Sequence, residues 1–226
     1  MIGGVGPEST VDYYHRIVKA FRNHDAGNGD PHLIINSLDL KRVLACVNED
    51  RLGELSEYVL AGIQSLAAAG SDFAVISSNT VHIVYNEVAS QSVLPMISII
   101  EATLRKIKNL ELKRLGVFGT RYTMQGKFFH DVFRDTGIEL IFPDSMEQNY
   151  IHEKYLSEFV NGVIIEQTRE ALIKIARRMA DQNGIEGLIL GGTELPLILN
   201  QSNIPELKIL DTSEIHVEEI VEAMFQ

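Results

Sequence analysis

The sequence contains a single cysteine, Cys46, and no tryptophan. One thiol excludes an intrachain disulfide framework, and the expected localisation is cytoplasmic. Basic residues are also scarce, with 20 Lys and Arg against 31 Asp and Glu, a formal charge of -11. Nucleic-acid binding needs a basic footprint, so that class is set aside. Small anions are not, because backbone N–H groups and hydroxyls bind carboxylates whatever the overall charge. No apolar run approaches the roughly 20 residues that span a bilayer. The N-terminus shows no basic stretch followed by an apolar core, so neither a membrane partner nor a signal peptide is expected. No His/Cys/Asp cluster has metal-ligand spacing, and no Walker-type phosphate loop is present. What is there is 226 residues with 45% apolar content, enough for two small lobes with a core each.

Apolar runs alternate with helical patterns along the chain. Strands are expected at Leu33–Ile35, Phe73–Ile76, Leu94–Ile99, Arg114–Phe118, Ile138–Phe142 and Leu207–Leu210, with another in Gly187-Leu188-Ile189-Leu190. Behind a Ser9 N-cap, Val11, Tyr14, Val18 and Phe21 form a helical stripe. Leu52, Leu55, Val59, Ile63 and Leu66 form another, ending near Gly70. Further helices are expected from Val81 to Ser90, on to Lys108, from the Gly119–Thr123 loop to Thr136, and from Pro143 to Gly162. A long one carries Ile165, Thr168, Leu172, Ala176 and Met179, and Asp211-Thr212-Ser213-Glu214 caps the last. Asn28-Gly29-Asp30-Pro31 reads as loop. This rhythm predicts an α/β fold of two similar Rossmann-like parallel-sheet lobes around a central cleft. The lobes are expected at residues 1–105 and 106–211, with a C-terminal helix at about 212–226 packing back on the first.

Two segments share one design. Val75-Ile76-Ser77-Ser78-Asn79-Thr80-Val81-His82 and Gly187-Leu188-Ile189-Leu190-Gly191-Gly192-Thr193-Glu194-Leu195-Pro196 each join an apolar strand to two small residues and a Thr near a helix start. In open α/β sheets ligands sit at such strand ends, so Ser78 and Gly192 are expected to face each other across a shared pocket. Asn79 and Thr80 offer an amide and a hydroxyl to a carboxylate, and Thr193 is the matching group in the second half. Ordinary capping accounts for the same residues equally well. Thr120 and Thr123 serve either the pocket or a cap. Gly4, in Gly3-Gly4-Val5-Gly6, lets backbone approach an anion closely. The Gly3-x-x-Gly6-Pro7 spacing is not that of a dinucleotide site, and Pro7 removes a donor.

Taken together, these segments resemble the aspartate/glutamate racemase family, whose halves carry Cys-Asn-Thr and Gly-Cys-Thr-Glu motifs. Gly3-Gly4-Val5-Gly6-Pro7-Glu8-Ser9-Thr10 and Gly119-Thr120-Arg121-Tyr122-Thr123-Met124 match family motifs too, and the resemblance covers essentially the whole chain. It implies an isomerase without cofactor or metal, acting on an acidic amino acid or related small dicarboxylate as a homodimer. It also implies several apolar residues of a central strand ahead of Gly3, where this sequence has Met1 and Ile2; a truncated start and a short strand both fit. Arg42 is where the family can place an arginine for the substrate's side-chain carboxylate. A solvated surface arginine beside Lys41 is the plain alternative.

The family's two thiols would stand at Ser78 and Gly192. Its reaction removes the α-proton with a thiolate on one face and returns a proton from a thiol on the other. A serine matches the first group in size but not in acidity, and glycine brings nothing. Cys46 falls outside both motifs and reads as a packed hydrophobe. His82 and Glu194 neighbour the two positions and are the candidates to assist. His82 is equally a cap or a packed residue, and Glu194 equally a first-turn glutamate favoured by the helix dipole. Three functions stay open: an isomerase with altered or weakened acid/base chemistry, a catalytically degenerate carboxylate-binding protein, and a lyase or decarboxylase acting on a related dicarboxylate.

Overall fold

The computed structural model describes residues 1–24 and 29–226, so Asn28 of the expected loop lies outside the described residues. The elements run β1 (Ile2–Gly3), α1 (Pro7–His24), β2 (Asn36–Ser37), α2 (Leu40–Asn48), α3 (Leu52–Ala68), β3 (Ala74–Val75), α4 (Tyr85–Gln91), β4 (Met96–Ile97) and α5 (Ile99–Asn109). They continue with β5 (Arg114–Gly119), α6 (Arg121–Gln125), α7 (Lys127–Phe133), β6 (Glu139–Ile141), α8 (Ser145–Ser157), α9 (Glu166–Asn183), β7 (Gly187–Gly191), β8 (Lys208–Asp211) and α10 (Thr212–Ala223). The chain divides into two units, Met1–Ala102 with Ser213–Gln226, and Thr103–Thr212.

In the first unit β1 pairs in parallel with β2, Ile2 opposite Asn36 and Gly3 opposite Ser37. β3 pairs in parallel with β4, and a parallel bridge from Ile2 to Ile76 joins the two ladders. The strand order is therefore β2-β1-β3-β4. In the second unit the order is β6-β5-β7-β8, again parallel throughout. Both sheets thus start with their second element at one edge and reverse winding direction between the first and third. That switch point, outside the carboxyl ends of the strands, is where open α/β sheets bind ligands.

Several sequence expectations shift. Pairing meets the second segment at Asn36 and Ser37 rather than at Leu33–Ile35, leaving Ile34 and Ile35 exposed. Helix α1 buries Ser9, Tyr13 and Ile17, while Val11 and Tyr14 are exposed. The helix starts at Pro7, so Ser9 lies inside its first turn and its hydroxyl donates to Gly6 O at 2.9 Å. Tyr13 Oη meets His216 Nδ1 at 3.0 Å, which fixes the buried face away from the Val11–Tyr14 stripe. The helix expected on to Thr136 breaks into α6 and α7. Gly126 between them is extended, and a Cβ there would stand 2.6 Å from Phe128 Cε1.

The second unit's core gathers Phe118, Tyr155, Phe159, Leu172, Leu188 and Leu190. Each such side chain contributes about 1.5–3 kcal/mol when fully buried. Helix α8, which delivers Ile151 and Tyr155 to this core, opens on a capping box. Asp144 accepts from the N–H groups of Met146 and Glu147, and Glu147 accepts in return from Asp144 N at 3.1 Å. Asp144→Ala is expected to cost about 1 kcal/mol. The check is the urea midpoint, which falls while the slope stays constant; an unmoved midpoint would show that the box carries no weight.

Candidate functional site

At the first strand end, Ser77 is tied across to β1, its N–H donating to Ile2 O at 3.0 Å and its hydroxyl to the same oxygen at 3.1 Å. That anchor carries Ser78, Asn79 and Thr80 into buried positions. The chain then tightens into a 3₁₀ helix, Thr80–Val84, where an α-helix from Val81 was expected. His82 explains the tight turn. Its N–H donates to Asn79 O at 3.0 Å, its Nδ1 meets Ser78 O at 2.7 Å, and its Nε2 accepts from Ile99 N at 3.3 Å. The Ile99 contact makes Nε2 the acceptor, so Nδ1 carries the proton. Burial lowers the imidazole pKa to about 4, and the ring stacks on Tyr85 at 4.8 Å. His82 is therefore neutral near pH 7, with both nitrogens engaged by backbone groups. As placed, it braces Ser78 against the start of α5.

Gly4 and Arg42 both have partners within the first unit. Gly4 has φ +83, and a Cβ there would stand 2.7 Å from Leu38 N, so the turn itself requires glycine. Its N–H donates to Thr10 Oγ1 at 2.9 Å. Arg42 lies over the Tyr58 ring at 4.1 Å and reaches Glu54 at 3.4 Å. Cys46 is fully buried in the same unit, as expected of a packed hydrophobe.

At the second strand end, Thr120 accepts from Thr123 N at 3.3 Å and caps α6. Thr123 is fully buried and packs against β5 and β7, where a Cβ on Gly191 would meet its methyl at 3.1 Å. Gly192 follows β7, then Thr193 and Glu194, both buried. A 3₁₀ turn, Leu195–Leu197, follows them, so no α-helix opens directly behind Glu194. Its carboxylate instead gathers two hydroxyls: Tyr155 Oη donates to Oε2, and Thr193 Oγ1 donates to the same oxygen at 3.1 Å. Burial first, then the Glu194 charge, hold the Tyr155 phenol well above its ordinary pKa. Within this unit the structure thus unites Gly192, Thr193 and Glu194 with a residue that sequence reasoning did not single out. Tyr155 sits in the last turn of α8 in no motif, and its only signal in the sequence is indirect: a glycine at a strand end leaves volume for another element to fill.

Among the described residues, no group of three or more His, Cys, Asp and Glu side chains is arranged to hold a metal ion. No described helix is long and apolar enough to cross a membrane. Residues 2–220 match the family described as Asp/Glu/Hydantoin racemase. The broad specificity amino-acid racemase RacX of Bacillus subtilis is 26% identical over 152 residues, 66% of this chain and 65% of that protein. The matched segment is thus less than two thirds of that relative's length. Among solved structures, a candidate Asp/Glu racemase from Yersinia pestis is 27% identical with a TM-score of 0.90, covering 100% of this chain and 97% of its own. An aspartate racemase homologue from Pyrococcus horikoshii is 28% identical with a TM-score of 0.86, again over 100% and 97%.

Proposed function

The chain belongs to the Asp/Glu/hydantoin racemase family, and on that premise we propose that it inverts the α-carbon of an acidic amino acid or related small dicarboxylate. The observation that carries this reading is the family match over residues 2–220. Two parallel sheets, each with a buried small-residue motif at its switch point, supply what such an isomerase needs. In this reading the amide of Asn79 and the hydroxyl of Thr80 hold a carboxylate, while the Thr193 hydroxyl is given to Glu194. The protein works as a cytoplasmic homodimer without cofactor.

Acid/base chemistry is where this chain differs from a two-thiol enzyme. Ser78 supplies only a hydroxyl, and both ring nitrogens of His82 are engaged by backbone groups beside it. Gly192 supplies no group, which leaves Glu194 and the Tyr155 phenol bonded to it at the second strand end. A missing general acid or base costs about 10²–10⁴ in rate, so turnover is expected to be slow. A second reading is favoured by the same two positions: a protein that keeps its carboxylate contacts and has lost the chemistry.

Chiral separation after incubating L- and D-aspartate and L- and D-glutamate distinguishes these. The panel extends to neutral amino acids, because a relative is a broad specificity racemase. Slow interconversion of either acidic pair is the expected result. Inversion of neutral amino acids alone would refute the substrate class. Calorimetric binding without any inversion would favour the binding protein, and release of carbon dioxide or an unsaturated acid would favour a decarboxylase or lyase.

A further inference from the structure

Position 192 lies one residue past β7, at the switch point of the second sheet, and as glycine it brings no side chain there. The space is nonetheless occupied. Tyr155 of α8 lays its ring where a side chain at 192 would begin: a Cβ built on Gly192 stands 2.8 Å from Tyr155 Oη and 2.9 Å from Cζ. The phenol oxygen therefore lies close to where the functional atom of a short side chain would be. It is also chemically connected, since Oη donates to Glu194 Oε2 and Thr193 orients the same carboxylate. Tyr155, Thr193 and Glu194 are 5%, 3% and 2% exposed, so water competes little for these contacts.

We propose that Tyr155 is a catalytic residue, exchanging a proton between its Oη and the substrate's α-carbon while Glu194 takes and returns the phenol's own proton. This inference rests on the racemase reading. In the forward step the Cα–H bond breaks and its proton forms a new O–H bond at Oη. The original phenolic proton passes to Glu194 Oε2, and the electron pair stays on the α-carbon, delocalised into the substrate carboxylate. One negative charge thus leaves Glu194 and appears on the substrate. The reverse step returns the Glu194 proton to Oη as Oη protonates the carbanion. The two transfers run together, because burial and the neighbouring carboxylate disfavour a free tyrosinate. Thr193 is a positioning residue that holds Oε2 toward the phenol.

The test is deuterium wash-in at the α-carbon of L- and D-aspartate and L- and D-glutamate, followed by NMR. Wild type is compared with Tyr155→Phe and Glu194→Gln. Tyr155→Phe keeps the ring that fills the space beside Gly192 and removes only Oη. Wild type is expected to exchange predominantly one enantiomer. Both variants are expected to lose that exchange by about 10²-fold or more, with calorimetric affinity retained. Should Tyr155→Phe unfold, Glu194→Gln keeps the full phenol and carries the same expectation. Exchange by either folded variant as fast as wild type overturns the relay and leaves the racemase reading intact. Absence of exchange in folded wild type overturns both.

Discussion

Gly192→Cys, made alone, is expected to weaken the protein and to displace the Tyr155 phenol rather than add a second acid/base group at the second strand end. A Cβ at 192 falls against the edge of the Tyr155 ring, 2.8 Å from Oη and 2.9 Å from Cζ, distances that real side chains do not sustain. The ring has little freedom to retreat: it packs edge-on to Phe159 at 5.9 Å and is hydrogen-bonded to Glu194. Overpacking of this kind costs about 1–3 kcal/mol. Combining Gly192→Cys with Tyr155→Ala clears the space. Adding Ser78→Cys then supplies both thiols, and α-proton exchange should rise by about 10²–10⁴ over Tyr155→Ala alone. The two thiols together should exceed either one, because such a pair acts as a unit. Denaturation curves and exchange rates across this series are the readout. A Gly192→Cys protein as stable as its parent, with Tyr155 still present, would show that the ring does not occupy the site as described.

The second large effect concerns His82 and pH. Its folded pKa is about 4 against 6.5 unperturbed, so between those values the unfolded chain binds a proton that the folded chain does not. The stabilisation is complete above the unfolded value and is lost as pH falls toward the folded one. Across that window the loss amounts to about 3 kcal/mol. His82→Gln should remove this slope, so the difference between parent and variant urea stability should narrow as pH drops from about 6.5 to about 4. At neutral pH the variant should be destabilised, because the Ser78 carbonyl and Ile99 amide lose buried partners worth about 1–3 kcal/mol each. Parallel stability profiles for the two proteins would show that His82 titrates in the open.

The strand-helix alternation in the sequence foretold a parallel α/β fold, because buried parallel strands read as apolar runs whatever surrounds them. The same runs carry no register. Ile34 and Ile35 looked as strand-like as any residue, yet the ladder with β1 is registered on Asn36 and Ser37, with the Ile34 carbonyl met by Met1 N at 2.6 Å. The α1 stripe failed for a related reason: the Tyr13–His216 contact spans 203 positions, so no local window contains it. The small-residue motifs were legible as strand ends because Ser, Asn, Gly and Thr stop an apolar run in a recognisable way. What they do there was less so. Asn79, Thr80, Thr120 and Thr123 look alike in sequence, whereas the structure shows Thr120 capping α6 and Thr123 inside that helix, packed on β5 and β7. Tyr155 was invisible, since its meaning comes from Gly192, 37 positions away, whose missing side chain it replaces.

The central claim is that this chain moves α-protons without a thiol. Cys46→Ala tests it most directly, because Cys46 is the only cysteine and the variant contains none. The thiol is fully buried and belongs to neither strand-end motif, so truncating it should cost stability rather than chemistry. The measurement is the rate of aspartate and glutamate inversion by wild type and by folded Cys46→Ala, under saturating substrate. The account predicts slow but equal rates in the two proteins. Inversion abolished in folded Cys46→Ala, or absent from wild type, would contradict it.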